Sequence, residues 1–443
     1  MRKGLFITLI LCLSSFATLA QSNDNLVNEG SVYSRFGLGF PVDIASSSAD
    51  GLGLWGVSYI EPYVPGLANP AQWGSTVFGM ATGGVGINNF NAKDNFGSTK
   101  NALLFVNQFQ LQLPIYKNKL GVSASFSPYS RTAFQAIESG SQIIGSGANR
   151  DTLNFQTQNT GTGGVNRFEL GAGWKINSNI SIGYAASLVF ASIDNEFQTV
   201  LDTDDNPDNL NPFAQVNFTQ QTSGLGFGNR LGVYFTLPSV AKEDDKLSIG
   251  GTLNFPIELD SERSQENIFA PGSDDDEIDD PDTELLEGNV QLPLGLTAGF
   301  TYQPDNTNLL SFTTEALYQK WSDFENELTP AENGIFTDRF KIGAGVRYFP
   351  FITGSDKFLS QFKYRLGASY DSGHLKINGE NINTIMFSAG LGLLAPGSNS
   401  SIDVSLEYGI RGTKSQNLVK ENIWGVKLSL NLAEIFFFRP KLQ

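Results

Sequence analysis

Cysteine is nearly absent from this chain of 443 residues: its one example, Cys12, sits inside an apolar run close to the amino terminus. A disulfide framework and a thiol nucleophile are therefore excluded from everything downstream. Histidine is as scarce, with His374 alone. One imidazole cannot build a His/Cys metal cluster. As a hydrolase it would need a serine and a third, orienting group, and its neighbours Ser372 and Gly373 read as a turn in an outer connection. No enzyme, no cofactor and no firm metal site are expected. Positive charge is short as well: 29 Lys and Arg stand against 45 Asp and Glu. That sign disfavours nucleic acid as a partner. Finally, no later stretch supplies the ~18 consecutive apolar residues of a membrane-spanning helix, and mean hydropathy is slightly negative.

What the chain has instead is alternation. About fourteen stretches of alternating apolar and polar residues lie near 76–90, 102–114, 119–130, 165–176, 179–193, 226–238, 246–256, 289–303, 308–321, 338–350, 360–371, 382–394, 401–411 and 422–436. Leu120, Val122, Ala124 and Phe126 alternate with Gly121, Ser123, Ser125 and Ser127. Near the carboxyl end, Trp424, Val426, Leu428, Leu430 and Leu432 alternate with Gly425, Lys427, Ser429 and Asn431. Strict alternation through 102–114 puts Leu103, Phe105, Asn107, Phe109, Leu111 and Leu113 on one nearly apolar face, with Leu104, Val106, Gln108, Gln110 and Gln112 opposite. One greasy and one wet wall per strand suits a barrel with lipid outside and a polar interior.

The connections carry a second rhythm. Tyr116-Lys117-Asn118, Asn177-Ser178 and Pro304-Asp305-Asn306-Thr307 are turn residues in turn-sized gaps. The intervening connections, about 131–164, 194–225, 257–288 and 322–337, are far longer. Tight periplasmic turns alternating with long extracellular loops predict an all-β fold, a 14-stranded antiparallel transmembrane β-barrel. Glycines fall in pairs within strands, as in Gly171/Gly173, Gly343/Gly345 and Gly390/Gly392, where curvature or close inward packing would need them.

Residues 1–20 read as an export signal: Arg2 and Lys3, the apolar run Leu5 to Leu13, then Ala17-Thr18-Leu19-Ala20 before Gln21. Removing it leaves 27 basic and 45 acidic residues, a net charge of −18, and no cysteine. Residues 21–75 do not alternate. They are rich in Gly, Ser, Pro and Asn with scattered aromatics such as Tyr33, Phe36, Trp55, Tyr59 and Tyr63, which suits a hatch packed inside the lumen better than a free tail. The barrel then occupies 76–443. Much of the acid lies in the long loops, as solvated tips or as loose cation ligands. Asp202, Asp204, Asn206 and Asp208 have the opening spacing of a calcium loop, but its glycine and closing glutamate are missing.

The segment Tyr33-Ser34-Arg35-Phe36-Gly37-Leu38-Gly39 is followed by a glycine-rich stretch, then Leu67-Ala68-Asn69-Pro70-Ala71, a first strand, and later Ser127-Pro128-Tyr129-Ser130-Arg131. This order resembles the FadL/TodX superfamily of outer-membrane transporters for hydrophobic substrates, in its Bacteroidetes-type form. The resemblance implies a plugged fourteen-stranded barrel in the outer membrane of a Gram-negative bacterium. It also implies passive uptake of long-chain fatty acids or hydrocarbons, which leave sideways or toward the periplasm. It makes Asn69, Pro70 and Ala71 hatch or gating candidates, against the plainer reading of an ordinary turn. Arg131 could pair with a substrate carboxylate, or could be an exposed loop arginine. The expected partners are outer-membrane lipid, lipopolysaccharide and a hydrophobic small molecule, with the chain a monomer. A structural or secretion-associated barrel and a porin for polar solutes remain as alternatives. They differ in the lumen: packed and partly apolar for a transporter, open and aqueous for a porin.

Overall fold

The computed structural model describes residues 29–144, 151–202, 215–269, 284–305, 309–350, 358–395 and 399–434. The export signal therefore lies outside the described residues.

Fourteen antiparallel strands close into a barrel. They are β1 Gly79–Lys93, β2 Ser98–Tyr116, β3 Leu120–Ile144, β4 Asp151–Lys175, β5 Ile180–Asp202 and β6 Gln215–Pro238. Then come β7, in two halves Lys246–Asn254 and Ile257–Phe269, and β8, in halves Glu284–Leu292 and Gly295–Gln303. The rest are β9 Leu310–Gln319, β10 Arg339–Tyr348, β11 Phe362–Asp371, β12 Thr384–Leu394, β13 Ser401–Arg411 and β14 Lys420–Glu434. Closure is made by β14 on β1, paired from Gly79↔Glu434 to Lys93↔Lys420. Pro256 breaks β7 and Pro293 breaks β8, each lacking the N–H that a ladder needs.

The two walls follow the sequence pattern. Phe300, Leu366, Phe387, Leu406 and Trp424 face outward and are exposed, while Ser123, Ser125, Ser429 and Asn431 are buried inside. One strand departs from strict alternation. In β2 the register slips so that Gly84 pairs with Gln108 and Val85 with Val106, leaving Asn107 in a bulge. The bulge exchanges the two faces. Leu104, Val106, Phe109 and Leu111 therefore all point outward, while Phe105, Gln108, Gln110 and Gln112 are buried.

The connections differ more from the expectation. Strand pairing continues through much of 131–164, 194–225 and 257–288, so β3 to β6 are 23 to 25 residues long. A transmembrane strand needs only about 9–11 residues. Above the lipid both faces of a strand meet water, so alternation fades while the backbone ladder persists. Of the four long connections only 322–337 lacks a long strand; it holds the two-residue strand Glu325–Asn326, paired with Gln291 and Val290, and short 3₁₀ turns at Trp321–Asp323 and Pro330–Ile335.

Residues 30–75 fold into the lumen. Two rows of inward-facing glycines receive them. Gly121, Gly173, Gly183 and Gly232 are register neighbours across β3 to β6. An added Cβ on any of them would strike the turn from Asn69 to Gly74. On the opposite wall Gly345 pairs with Gly367, and both lie against Leu52.

Candidate functional site

The Asn69-Pro70-Ala71 motif is the start of a 3₁₀ turn, Pro70–Ser75, seated on the first glycine row. Asn69 caps it: its Oδ1 accepts from the Ala71 N–H at 3.0 Å, and Pro70 occupies the first helical position. The Asn69 amide nitrogen donates to the Val57 and Val233 carbonyls, both at 2.9 Å, so it ties two parts of the inserted segment to β6. Asn69, Pro70 and Ala71 are all buried.

Charged pairs clamp the inserted segment at three further points. Arg339 on β10 meets Asp43 at 2.8 Å and Asp371 at 2.6 Å, and Lys341 reaches Asp43 at 2.8 Å. Burial alone would raise the Asp43 carboxyl, but Arg339 and Lys341 outweigh it and hold the group well below its usual range. Arg365 on β11 links Glu61 at 3.0 Å to Asp403 at 2.6 Å, and Lys363 also pairs with Glu61. Lys427 on β14 bridges Asp50 at 3.0 Å and Glu407 at 2.7 Å. Glu315 on β9 has no cationic partner among its described contacts. It accepts the backbone N–H groups of Trp55, Gly56 and Ser58 at 2.8–2.9 Å. Sequence reasoning gave none of these charged residues a role, and named only Lys427, as part of a polar face. The signal was there: basic residues at alternate positions, Arg339/Lys341 and Lys363/Arg365, lie on inward faces that otherwise favour serine and threonine.

Beside the clamp lies a cavity of about 200 Å³, with Leu103, Phe105 and Arg131 on one wall and Arg339, Glu407 and Lys427 on another. Arg131 stands where two strands part. β2 pairs with β3 only from Phe109↔Phe126 to Tyr116↔Leu120, although β2 continues up to Ser98 and β3 to Ile144. A bulge at Tyr129, between Pro128 and Ser130, turns β3 away. Phe40 and Pro41 fill the foot of the gap as a two-residue strand on Arg131 and Ser130. The Arg131 guanidinium spans it, 3.2 Å from the Val106 carbonyl and 4.0 Å over the Phe105 ring. Arg131 is thus neither an open-loop residue nor paired with a carboxylate in any described contact.

The outer mouth is closed by an apolar cap. Tyr33 and Leu38 of the inserted segment pack with Trp321, Phe324 and Phe336 of the 320–338 connection, and with Leu375, Ile382 and Leu418. His374 lies at its centre, in the expected connection but 1% exposed. Its ring stands 4.8 Å from Trp321 and 5.1 Å from Phe40, and both ring nitrogens lack a described partner. Burial, with help from the Arg339 charge, pushes the imidazole down to about 3 from an ordinary 6.5. Among the described residues no nucleophile–base arrangement is made with it. Of the calcium candidates, Asp202 ends β5, and Asp204, Asn206 and Asp208 lie outside the described residues.

A family model described as BamG matches residues 1–443. The chain belongs to the BamG family. Its name differs from that of the superfamily the sequence resembles, and the FadL/TodX likeness holds at the level of fold. Among solved structures, a FadL homologue of Pseudomonas aeruginosa aligns with a TM-score of 0.55 at 13% identity, covering 90% of this chain and 99% of its own. The toluene transporter TodX of Pseudomonas putida gives 0.50 at 14%, covering 90% and 99%. The toluene transporter TbuX of Ralstonia pickettii gives 0.50 at 16%, covering 88% and 98%. No curated protein matches. At such identities the likeness establishes the β-barrel fold and nothing about cargo.

Proposed function

We propose that this BamG-family protein is an outer-membrane barrel for passive movement of hydrophobic small molecules, with the 30–75 segment as its plug and Asn69-Pro70-Ala71 as the seat of that plug. The parting of β2 and β3 above Phe109 carries the reading. It lies beside an internal cavity lined by Leu103, Phe105 and Arg131, and we read it as the exit from that cavity to the lipid side of the wall. A greasy solute gains by leaving water for such a lining and again by leaving it for the bilayer. Arg131 stands in that path and would hold the head of an amphiphile such as a fatty acid. The solved neighbours include toluene transporters, which supports the same solute class. The filled lumen speaks against an open polar porin.

A second reading, a structural or secretion-associated barrel, is favoured by one observation. The apolar cap packs the outer mouth with side chains rather than leaving a groove there. Mass spectrometry of lipophilic molecules extracted from the detergent-purified protein decides between the two, with an unrelated barrel prepared identically as control. Selective enrichment of a fatty acid or hydrocarbon supports passage. Identical profiles sink it in favour of the structural reading.

A further inference from the structure

Four neighbouring strands carry a row of polar groups whose hydrogen bonding is incomplete. Asn88 on β1 is the register neighbour of Gly425 on β14, Gly425 of Glu407 on β13, and Glu407 of Ser388 on β12. Asn88, Glu407 and Ser388 all line the cavity of about 200 Å³ beside Arg131. The Asn88 Oδ1 is buried and accepts no hydrogen bond among the described residues. Glu407 gives its Oε1 to Lys427 at 2.7 Å, while its Oε2 accepts no described hydrogen bond. Ser388 is 5% exposed, and its hydroxyl also lacks a described partner.

Gly425 brings two of these groups together. A Cβ at that position would stand 2.6 Å from Asn88 Oδ1 and 3.4 Å from Glu407 Oε2, so both oxygens lean over the same bare stretch of backbone. The Ser388 hydroxyl can donate or accept, and so it selects nothing. An amide oxygen and a carboxylate oxygen can only accept. What these two lack is a donor, and a buried acceptor left without one costs free energy. An ammonium group is poorly suited to supply it. Five basic side chains already line the cavity against four acidic ones, so a further positive charge would add to the excess. Arg131 can hold a carboxylate head in the wall, but a carboxylate brings these oxygens no donor. An uncharged hydroxyl brings the donor without the charge. Phe40, Trp55, Phe90 and Phe105 supply aromatic walls, which favour a flat ring through offset and edge contacts. The space suffices, since a cavity of roughly 150 Å³ takes benzene.

We propose that this cavity prefers an aromatic molecule carrying an uncharged hydroxyl, which donates to Asn88 Oδ1 beside Gly425. The proposal rests on reading the cavity as part of a passage for hydrophobic molecules, and it names which of them the cavity favours.

The test measures equilibrium binding of phenol, toluene and anisole to the full mature protein in lipid nanodiscs, with empty nanodiscs subtracted. Toluene has the ring without the oxygen; anisole has the oxygen without its proton. Asn88→Leu keeps the bulk and removes the acceptor. The ratio of phenol to toluene affinity should fall roughly tenfold in that variant, while the ratio of anisole to toluene stays level. Asn88→Ala takes its place if the leucine variant fails to assemble. An unchanged phenol ratio overturns the proposal. So does an anisole ratio that falls as far, because the oxygen and not its proton is then being read. If none of the three binds, the proposal also falls; selective enrichment of a hydrophobic molecule among the extracted lipids would still leave the passage itself standing.

Discussion

Replacing His374 by phenylalanine should remove most of the acid sensitivity of the outer cap. The imidazole is buried among Phe40, Trp321 and Phe336 and is held neutral, at about 3. In an opened cap it would titrate near 6.5. A base whose folded value is depressed stabilises the folded form above its unfolded value, and that stability drains away as pH falls from 6.5 toward 3. At pH 5 the opened form gains about 2 kcal/mol, at roughly 1.4 kcal/mol per pH unit below 6.5. Local opening should then rise roughly thirtyfold between pH 7 and pH 5. The Ile382 N–H bound to Leu375 and the Thr337 N–H bound to the His374 carbonyl lie in the cap and report on it by amide exchange, corrected for intrinsic pH dependence. His374 is the only histidine, so a single imidazole signal gives its titration directly. An imidazole titrating near 6.5 in the intact protein would refute the reasoning. So would equal acid sensitivity in His374→Phe.

Other outcomes follow from the clamp. Arg339→Met strands Asp43 and Asp371 without their shared cation. Breaking a buried pair in this way costs roughly 3–5 kcal/mol, which thermal unfolding in detergent should register. Gly183→Val drives a side chain into the Pro70 backbone and should unseat the plug, visible as new ion conductance in planar bilayers. Gly334→Val, with open space around it, should do nothing. Asp43 is held below its ordinary 3.8 by cations that outweigh its burial. Its contribution is complete above that value and is lost as pH falls below it, so protease protection of residues 30–75 should survive pH 5 and weaken only under about pH 4.

The barrel was legible because lipid imposes a strict rule. Every second residue of Trp424 to Leu432 must be greasy, and the turn residues at Tyr116-Lys117-Asn118 must be polar. The rule ends where lipid ends. Strand continuation through 131–144 and 151–164 left no period-2 trace, and the extra residue at Asn107 defeated simple alternation. Asn107 reaches in to Asp50 at 3.0 Å, so the bulge serves the plug rather than the wall. The paired glycines were legible as close inward packing, but their partners were not. Nothing local tells Gly183 that Pro70 will sit on it, since that contact spans over a hundred residues of sequence. His374 shows the same limit. Its glycine-containing turn was visible, but the aromatic cage comes from two distant segments, Phe40 of the inserted segment and Trp321 and Phe336 of the 320–338 connection.

Magnitudes also decide between two ways past the plug. Lifting it breaks at least seven buried or part-buried charge-assisted hydrogen bonds, among them two from Arg339 to Asp43, one from Lys427 to Asp50, one from Arg365 to Glu61 and three from the backbone to Glu315. At roughly 1.5 kcal/mol each, the low end for such bonds, they come to about 10 kcal/mol. That rivals the whole stability of an ordinary domain. Clearing the β2/β3 gap moves one side chain, held by a 3.2 Å bond to the Val106 carbonyl and by the Phe105 face. Those contacts are worth about 2–4 kcal/mol together. A solute that crosses at all should therefore cross past Arg131 with the plug in place. Arg131→Ala should change the rate at which an apolar dye passes from outside into the bilayer of proteoliposomes. A plug cross-linked by engineered cysteines in place of Ser58 and Thr301, whose hydroxyls lie 3.1 Å apart, should pass it as fast as the unmodified barrel. If the cross-link stops the dye and Arg131→Ala leaves its rate untouched, the path runs through the lumen and the sideways route is wrong.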